Sequence, residues 1–385
     1  MSRNTDIARV LIAPDSFKGS AMSTEISEWI AEGWREVRPQ DGIIFHPMAD
    51  GGEGTLLAIE RTRTDLTKIT QSVMGADNRS HNAFWFLTDN GTAFVELANI
   101  CGLTLLKEPN PLGAHTFGLG QILYDISRDD EVKQVVIALG GSASTDAGTG
   151  ALRALGFRFL DSSGKDLPLG GAGLSALAHV DDSAAAEPPI GGVICLVDVD
   201  NPLLGERGSA PVFAPQKGAT ANEVESLNEA LSRFQQVVGH PDSPGAGAAG
   251  GVAYGLQALW GARFTSGARV ISQITGLHEE ISRADFIITG EGAFDEQSFS
   301  GKVVGTLFDL KREFAKASAE IAVIAGVVKF SDPQLELLRG EGLFAATALI
   351  DRAESLQSAM ENVRVLTVNA AHDLAIRFSE DKLSS

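Results

Sequence analysis

A run of small residues follows an apolar segment near the middle of the chain, and this order constrains the fold more than any other feature. The apolar segment covers residues 135–138, the run at 139–150 reads LGGSASTDAGTG, and a helix-forming stretch follows at 151–155. Glycines let backbone N–H groups approach an anion closely, and a helix N-terminus adds unpaired donors and a favourable dipole. The segment predicts an α/β fold with either a phosphate-binding loop or a tight turn capped by Ser and Thr.

Apolar runs of strand length alternate with helical patterns at both ends of the chain, whereas a β-hairpin pattern at 83–97 marks the middle. The predicted strands of the two ends lie at 10–13, 42–45, 286–289, 321–325 and 343–349. We therefore predict two α/β domains: a discontinuous Rossmann-like domain with a parallel sheet (1–65 plus 266–385) and an inserted mixed α/β domain (66–265) with glycine-rich loops. A cleft between two such domains is the expected ligand site.

Composition narrows the classes of partner. A chain of 385 residues with 44% hydrophobic content can bury the cores of two domains. A net charge of −19 and a pI near 4.8 disfavour nucleic acid and anionic membranes as partners. Cys101 and Cys195 lie outside any CxxC pattern and favour the reducing cytoplasm. The polar segment 1–9 and the longest apolar run, 321–328, predict neither a signal peptide nor a membrane span.

Acidic and glycine-rich loops follow three strands of the first predicted domain. Because the carboxyl ends of parallel strands meet at one sheet edge, where open α/β sheets bind ligands, we expect these loops to lie together. The candidate residues are Asp15, Ser16 and Lys18 after the first strand, Asp50, Gly51, Gly52 and Glu53 after the second, and Glu291 and Asp295 after the third. The alternatives are a capping box of Asp50 and Glu53 in the second loop, and solvated turns in the others.

The inserted domain carries further candidates. Asp198 and Asp200 follow the apolar run 193–197, and either can serve as a base or as a metal ligand. They face opposite sides if the strand continues, so only one of them points into a given cleft. Lys217 lies in a turn before a predicted helix at 221–238.

Several familiar motifs fail when they are tested against the sequence. No GxxxxGK[ST] loop and no GxSxG elbow occurs, and the GxGxxG pattern at 245–250 follows a polar segment instead of a strand. The seven histidines lack zinc-ligand spacing. These observations argue against a Walker-type ATPase, a dinucleotide-binding fold, a serine hydrolase and a zinc enzyme.

Seven segments taken together resemble the type I glycerate kinase family. They occur in the family's order at 13–19, 48–55, 140–150, 198–203, 214–218, 245–251 and 289–298. The resemblance implies ATP-dependent phosphorylation of D-glycerate with Mg²⁺, usually at the 2-hydroxyl to give 2-phosphoglycerate. It also implies a two-domain α/β architecture with one domain inserted into the other.

The resemblance implies a role for each candidate. ATP is expected at Gly140, Gly141, Ser142, Ser144, Thr145, Gly148 and Lys217, and Mg²⁺ at Asp146 or Asp198. Glycerate is expected at Asp15, Ser16, Lys18, Asp50, Gly51, Gly52, Glu53, Glu291 and Asp295. Asp198 is the expected base, with Asp200 and Asp50 as alternatives and Lys18 as a further catalytic group. Phosphoryl transfer needs mainly positioning and charge neutralisation, which these residue types supply.

Two other functions remain open at this point. One is a kinase for a related small hydroxy acid, such as a tetronate or hydroxypyruvate, or one with another regiochemistry that yields 3-phosphoglycerate. The other is a non-catalytic protein that senses a phosphorylated metabolite with the same loops. The sequence also leaves open whether the chain forms a homodimer.

Overall fold

The computed structural model describes residues 7–17, 19–299, 301–316 and 318–384. The strands are β1 Arg9–Ile12, β2 Gly42–Phe45, β3 Leu66–Met74, β4 Ser80–Thr88, β5 Thr92–Glu96, β6 Gln134–Ala138, β7 Arg158–Leu160, β8 His179–Asp181, β9 Val193–Val197, β10 Arg263–Ser266, β11 Phe286–Phe294, β12 Glu320–Val328 and β13 Leu343–Ala348. The helices are α1 Ser23–Val37, α2 Thr55–Thr62, α3 Ala98–Cys101, α4 Phe117–Ser127, α5 Thr149–Ala154, α6 Ser209–Phe213, α7 Ala221–Val238, α8 Ala248–Trp260, α9 Gly267–Ile274, α10 Leu277–Arg283, α11 Val303–Phe314, α12 Asp332–Gly340, α13 Leu356–Glu361 and α14 Val363–Ser384.

The chain separates into two compact units, each of which is described by itself. Unit 1 comprises Met1–Asp50, Leu57–Thr62 and Ala268–Ser385, and unit 2 comprises Gly51–Leu56 and Arg63–Gly267. Both units combine a sheet with helices, so the predicted α/β fold class is confirmed. Among the described residues, no helix has the length and apolar character required to cross a membrane.

Unit 1 contains a parallel sheet with the strand order β13-β12-β11-β1-β2. The chain places β2 on one side of β1 and then builds β11, β12 and β13 outward on the other side. The direction of strand addition therefore reverses between β1 and β11. In doubly wound sheets such a topological switch point opens a crevice at the carboxyl ends of the two strands, where ligands bind.

Helices cover both faces of this sheet, which explains why its strands are nearly continuous apolar runs. On one face, Trp34 of α1 stacks on Phe286 of β11 with ring centroids 5.4 Å apart. On the other, Leu11 and Ile287 share a core with Phe308 of α11. The sheet is thus covered on both sides at its central strands, and Glu291 is a charged residue within β11.

The strand β11 is longer than the sequence predicts. The apolar run ends at Thr289, but pairing with β12 continues from Gly290↔Ile324 to Phe294↔Val328. The sequence pattern ends the strand at its first glycine, but β12 approaches so closely here that only glycine fits. A Cβ on Gly290 would lie 2.3 Å from the Ile324 carbonyl oxygen. The predicted loop that contains Glu291 is therefore in part a paired strand.

Unit 2 contains a mixed sheet with the order β10-β9-β6-β5-β4-β3. The predicted hairpin is present, because β4 pairs antiparallel with β5. The strands β5, β6, β9 and β10 pair in parallel, so the residues that follow β5, β6 and β9 meet at one edge. The loop at 139–150 follows β6 and Asp198 follows β9, so both lie at this edge of the sheet.

A close helix contact in unit 1 yields a stability prediction. Alanine at Gly33 of α1 would place its Cβ 2.0 Å from the Val368 carbonyl oxygen of α14. Because backbone must shift to relieve this overlap, we expect Gly33→Ala to lower the free energy of unfolding by about 1–3 kcal/mol. Thermal unfolding measures the change. The matched control is Gly340→Ala, where no atom lies within 4 Å of the added Cβ, and an equal loss in both variants would contradict the packing explanation.

Candidate active site

The loops after β1 and β2 lie beside the second half of β11 at the switch point of unit 1. The Asp15 backbone N–H donates to the Gly290 carbonyl at 2.8 Å, and the Met48 N–H donates to the Pro14 carbonyl at 2.9 Å. The structure thereby gathers Asp15, Ser16, Asp50 and Glu291 at one sheet edge. We name these four residues the switch-point cluster. Lys18, predicted to act with them, lies outside the described residues.

Glu291 is the most unusual member of this cluster. Its side chain lies on the paired part of β11 and is 5% exposed, and its Oε1 atom is buried without a hydrogen-bond partner among the described residues. Burial raises the pKa of its carboxyl to about 7, while the Ser298 hydroxyl and the charge of Lys302 lower it and Asp295 raises it. The carboxyl can therefore gain or lose a proton near neutral pH.

Asp295, also predicted to bind substrate, is engaged with neighbouring groups. Its carboxylate forms an ion pair with Lys329 at 3.0 Å and accepts from the Gln297 N–H at 3.0 Å. Its own N–H donates to the Ser298 hydroxyl. These contacts hold the turn that follows β11 and fix a negative charge near Glu291.

In unit 2, two glycine-rich segments touch each other. The Gly140 N–H donates to the Gly51 carbonyl at 3.0 Å, and a Cβ on Gly140 would lie 2.4 Å from the Gly52 Cα. Gly51 has a φ of +101°, a conformation that favours glycine. The structure thus groups Gly51 and Gly52 with the loop at 139–150, as a paired glycine surface at the end of β6.

The capping box proposed for Asp50 and Glu53 does not match the structure, because α2 begins at Thr55 and Glu53 is exposed. A different carboxylate holds the segment. Glu96, at the end of β5, accepts from the Gly54 N–H at 3.2 Å and the Leu56 N–H at 2.9 Å. Its burial raises its pKa. Glu96 was not among the predicted site residues, although an acid at the end of an apolar strand is a signal that could have identified it.

Asp146 is a fully buried carboxylate that accepts five hydrogen bonds. Oδ1 accepts from the Ser144 hydroxyl at 3.0 Å and the Gly148 N–H at 3.1 Å. Oδ2 accepts from the Thr116 N–H at 2.9 Å, the Thr116 hydroxyl at 2.8 Å and the Gly150 N–H at 3.1 Å. Because protein donors occupy both oxygens, these contacts favour a structural role over the predicted metal binding. Thr116 was also missed, although it directly precedes the apolar helix α4.

Lys217 lies behind the same loop. Its ammonium group is buried and donates to the Ser144 carbonyl at 2.5 Å. Burial lowers its pKa to about 8, and the negative charge of Asp146 opposes this shift. A lysine held in this way supports the loop from within, which is a different role from the predicted contact with ATP.

Burial divides the loop into an accessible and an inaccessible half. Gly141 is exposed and Gly140 is half-buried, whereas Ser144 and Thr145 are at most 1% exposed. Gly148 is buried too. Ser142 is 6% exposed. Direct phosphate contact by the buried part is therefore not favoured, and the residues of this loop that an anion can reach are Gly140 and Gly141.

The two carboxylates after β9 have different surroundings. Asp198 is half-buried and makes no hydrogen bond or ion pair within the described part of the chain. Asp200 is exposed and pairs with Arg207 at 2.7 Å. Asp198 thus keeps its oxygens available at the sheet edge that also carries Gly140, while Asp200 belongs to a surface ion pair.

The architecture and these loops define an α/β protein whose polar groups converge at the carboxyl edges of its sheets. The model of the glycerate kinase family matches residues 10–379. A glycerate kinase of Halalkalibacterium halodurans is 36% identical, covering 97% of this chain and 99% of the relative. The glycerate 2-kinase of Escherichia coli is 31% identical, covering 96% and 98%.

A solved structure agrees with these relatives. The crystal structure of a Salmonella typhimurium LT2 protein assigned as glycerate kinase 2 has a TM-score of 0.74 at 31% identity, covering 98% of this chain and all of that one. The chain therefore belongs to the glycerate kinase family. As a member it is a small-molecule kinase that uses ATP, which confirms the predicted family and class of enzyme.

The buried network predicts the consequence of changing Asp146. Asn at this position turns one acceptor into a donor that faces the donors already present, and it removes the negative charge near Lys217. We expect Asp146→Asn to lower the free energy of unfolding by about 3 kcal/mol, as measured by thermal and chemical unfolding without added metal.

The control is Asp182→Asn, because Asp182 is an exposed carboxylate of the same unit. We expect that variant to unfold as the unmodified protein does. If Asp146 instead serves as a metal ligand, Asp146→Asn will leave metal-free stability unchanged and raise the Mg²⁺ concentration required for half-maximal activity. That result would overturn the structural role.

Proposed function

We propose that the protein transfers the γ-phosphoryl group of ATP to the 2-hydroxyl of D-glycerate, giving 2-phosphoglycerate and ADP. The observation that carries this proposal is the family match over residues 10–379, together with relatives named glycerate kinase and glycerate 2-kinase. We also propose that units 1 and 2 are the two domains predicted from the sequence. The buried thiols of Cys101 and Cys195 support the cytoplasm as its location.

The switch-point cluster of unit 1 is the proposed glycerate site. Asp15, Ser16 and Asp50 present hydroxyl and carboxylate groups suited to the hydroxyls of a small polyol acid. Lys18, which follows in the same segment, supplies a charge opposite to that of the substrate carboxylate. A topological switch point is where open parallel sheets hold their ligands, which supports this placement.

The accessible glycines of unit 2 are the proposed phosphate site. Gly52, Gly140 and Gly141 are not buried and leave the backbone free of side chains, so that an anion can approach it closely. Gly51 lies beneath them and accepts the Gly140 N–H. The chain's net charge of −19 makes such local donors necessary for any anionic ligand. The buried half of the loop, held by Asp146 and Lys217, keeps this surface in a fixed shape.

Asp198 is the proposed protein ligand of Mg²⁺. No group of three or more acidic, histidine or cysteine side chains with metal-binding geometry occurs among the residues that the structure describes. One available carboxylate nevertheless fits this ion, because Mg²⁺ in kinases keeps several waters and is held by one or two carboxylates and the substrate phosphates. When bound, Mg²⁺ neutralises charge on the transferred phosphoryl group.

An ADP-release assay with ATP, Mg²⁺ and a panel of three- and four-carbon hydroxy acids tests the activity. We expect release with D-glycerate, and phosphorus NMR of the product should place the phosphate on the 2-oxygen. Greater turnover of a tetronate or hydroxypyruvate would assign a different substrate, and a phosphate on the 3-oxygen a different regiochemistry. Tight binding of a phosphorylated acid without ADP release would indicate a sensor.

The metal assignment predicts the behaviour of Asp198→Asn. Loss of a carboxylate ligand should raise the Mg²⁺ concentration for half-maximal activity about 10- to 100-fold, with little change in melting temperature because the side chain is only half-buried. Titration of activity with Mg²⁺ measures the effect. Asp182→Asn again serves as the control, and an unchanged Mg²⁺ requirement in Asp198→Asn would assign the ion to other ligands.

A further inference from the structure

Glu291 has an oxygen that the protein itself leaves unused. Oε1 is buried and has no hydrogen-bond partner among the described residues, on a side chain that is 5% exposed. A buried acceptor without a donor costs about 1–3 kcal/mol, more when the group is charged. No hydrogen bond within the described residues offsets this cost at Glu291 Oε1. Asp146 and Glu96 differ, because their oxygens accept backbone N–H groups.

The position of Glu291 is fixed by the strand that carries it. Glu291↔Ala325 is a paired position between β11 and β12, so the backbone is held in a ladder instead of a free loop. On the β1 side, the Asp15 N–H donates to the Gly290 carbonyl. The residue therefore lies at the switch point, one position beyond the backbone contact with the Asp15 segment, and its carboxyl interacts with Ser298, Lys302 and Asp295.

The charged groups around Glu291 are of both signs. Lys302, which precedes α11, lowers the pKa of the carboxyl, and Asp295 on the following turn raises it. Lys329, after β12, is held by Asp295 at 3.0 Å. Asp15 lies on the segment after β1. No ion pair of Glu291 itself forms within the described residues, so the side chain can change its protonation state without breaking one.

We infer that Glu291 is the base that accepts the proton of the substrate hydroxyl during phosphoryl transfer. The inference rests on the proposed kinase function. The substrate O–H bond breaks and its proton forms an O–H bond with Glu291 Oε1. The hydroxyl oxygen forms a bond with the γ-phosphorus of ATP, and the bond from that phosphorus to the bridging oxygen of ADP breaks. The proton passes afterwards from Glu291 to water.

Glu291 fits this role better than Asp198, the base expected from the sequence. A general base works best when its pKa lies near the working pH, and burial brings that of Glu291 to about 7. Asp198 is half-buried and lies in unit 2, at the edge that carries the proposed phosphate surface. Glu291 instead lies in the switch-point cluster, with the residues proposed to hold glycerate.

The test is the pH dependence of kcat for the unmodified protein and for Glu291→Gln, with D-glycerate and saturating MgATP. In the unmodified protein, kcat should fall on the acid side of about pH 7, about tenfold per pH unit, because protonation removes the base. In Glu291→Gln, kcat should be about 10²- to 10⁴-fold lower without this acid limb. The KM for glycerate should change less than tenfold, because binding groups remain.

Three further variants keep the result interpretable. Glu296→Gln makes the same chemical change at an exposed position of the same turn and should retain kcat and its pH profile. Lys302→Met removes a positive charge that favours the ionised carboxyl, so the acid limb should move to higher pH. Glu291→Asp retains a carboxyl at a greater distance, and should keep the acid limb with a kcat at least tenfold lower. If Glu291→Gln does not fold, the kcat and the pH profile of Glu291→Asp test the role of Glu291 instead.

The outcomes separate the two proposals. If the unmodified protein releases no ADP with any hydroxy acid, the proposed function fails and the role of Glu291 falls with it. If the unmodified protein is active and Glu291→Gln keeps kcat within threefold, or keeps the acid limb, only the role of Glu291 is overturned. An acid limb lost in Asp198→Asn and kept in Glu291→Gln would return the role to Asp198.

Discussion

Unit 2 depends on one buried carboxylate. Asp146 is 0% exposed, and removing such a charge from water is costly unless donors replace the solvent. Five hydrogen bonds from Thr116, Ser144, Gly148 and Gly150 provide that replacement. They also fix the backbone through Ala147, whose φ of +52° is unfavourable for a residue with a Cβ. The shape of the accessible glycine surface follows from this constraint.

Close approach of backbones explains the positions of the glycines around that loop. A Cβ on Gly250 would lie 2.0 Å from the Ser144 carbonyl oxygen, and one on Gly171 would lie 2.2 Å from the Thr145 carbonyl oxygen. Both glycines pack against the buried half of the loop. Gly250 belongs to the segment at 245–251, whose sequence matches a dinucleotide-binding pattern, and its contact with Ser144 is a packing contact.

Local patterns predicted the elements well, and contacts between distant segments were beyond their reach. The helix α1 and the strands β1 and β2 follow from apolar periodicity, and α7 occupies Ala221–Val238 as predicted. The burial of Ser144 and Lys217 was not predictable, since it depends on neighbours far away in the sequence. The hydrogen bonds from Gly54 and Leu56 to Glu96 join positions about forty residues apart. Sequence order placed the candidate loops at strand ends but could not say which side chains the core would bury.

The contrast between satisfied and unsatisfied acids is the most useful guide to chemistry in this protein. Asp146 and Glu96 are buried, but donors occupy their oxygens, so their negative charge stabilises backbone and is not free to react. Asp200 forms an ion pair with Arg207, and Asp295 forms one with Lys329. Glu291 alone among these five acids combines burial with an oxygen that lacks a donor in the described structure. Glu291 lies on a paired strand at the switch point of a parallel sheet, and its unsatisfied oxygen lowers the stability of the folded chain. Under the proposed function, a hydrogen bond from the substrate hydroxyl would relieve this loss.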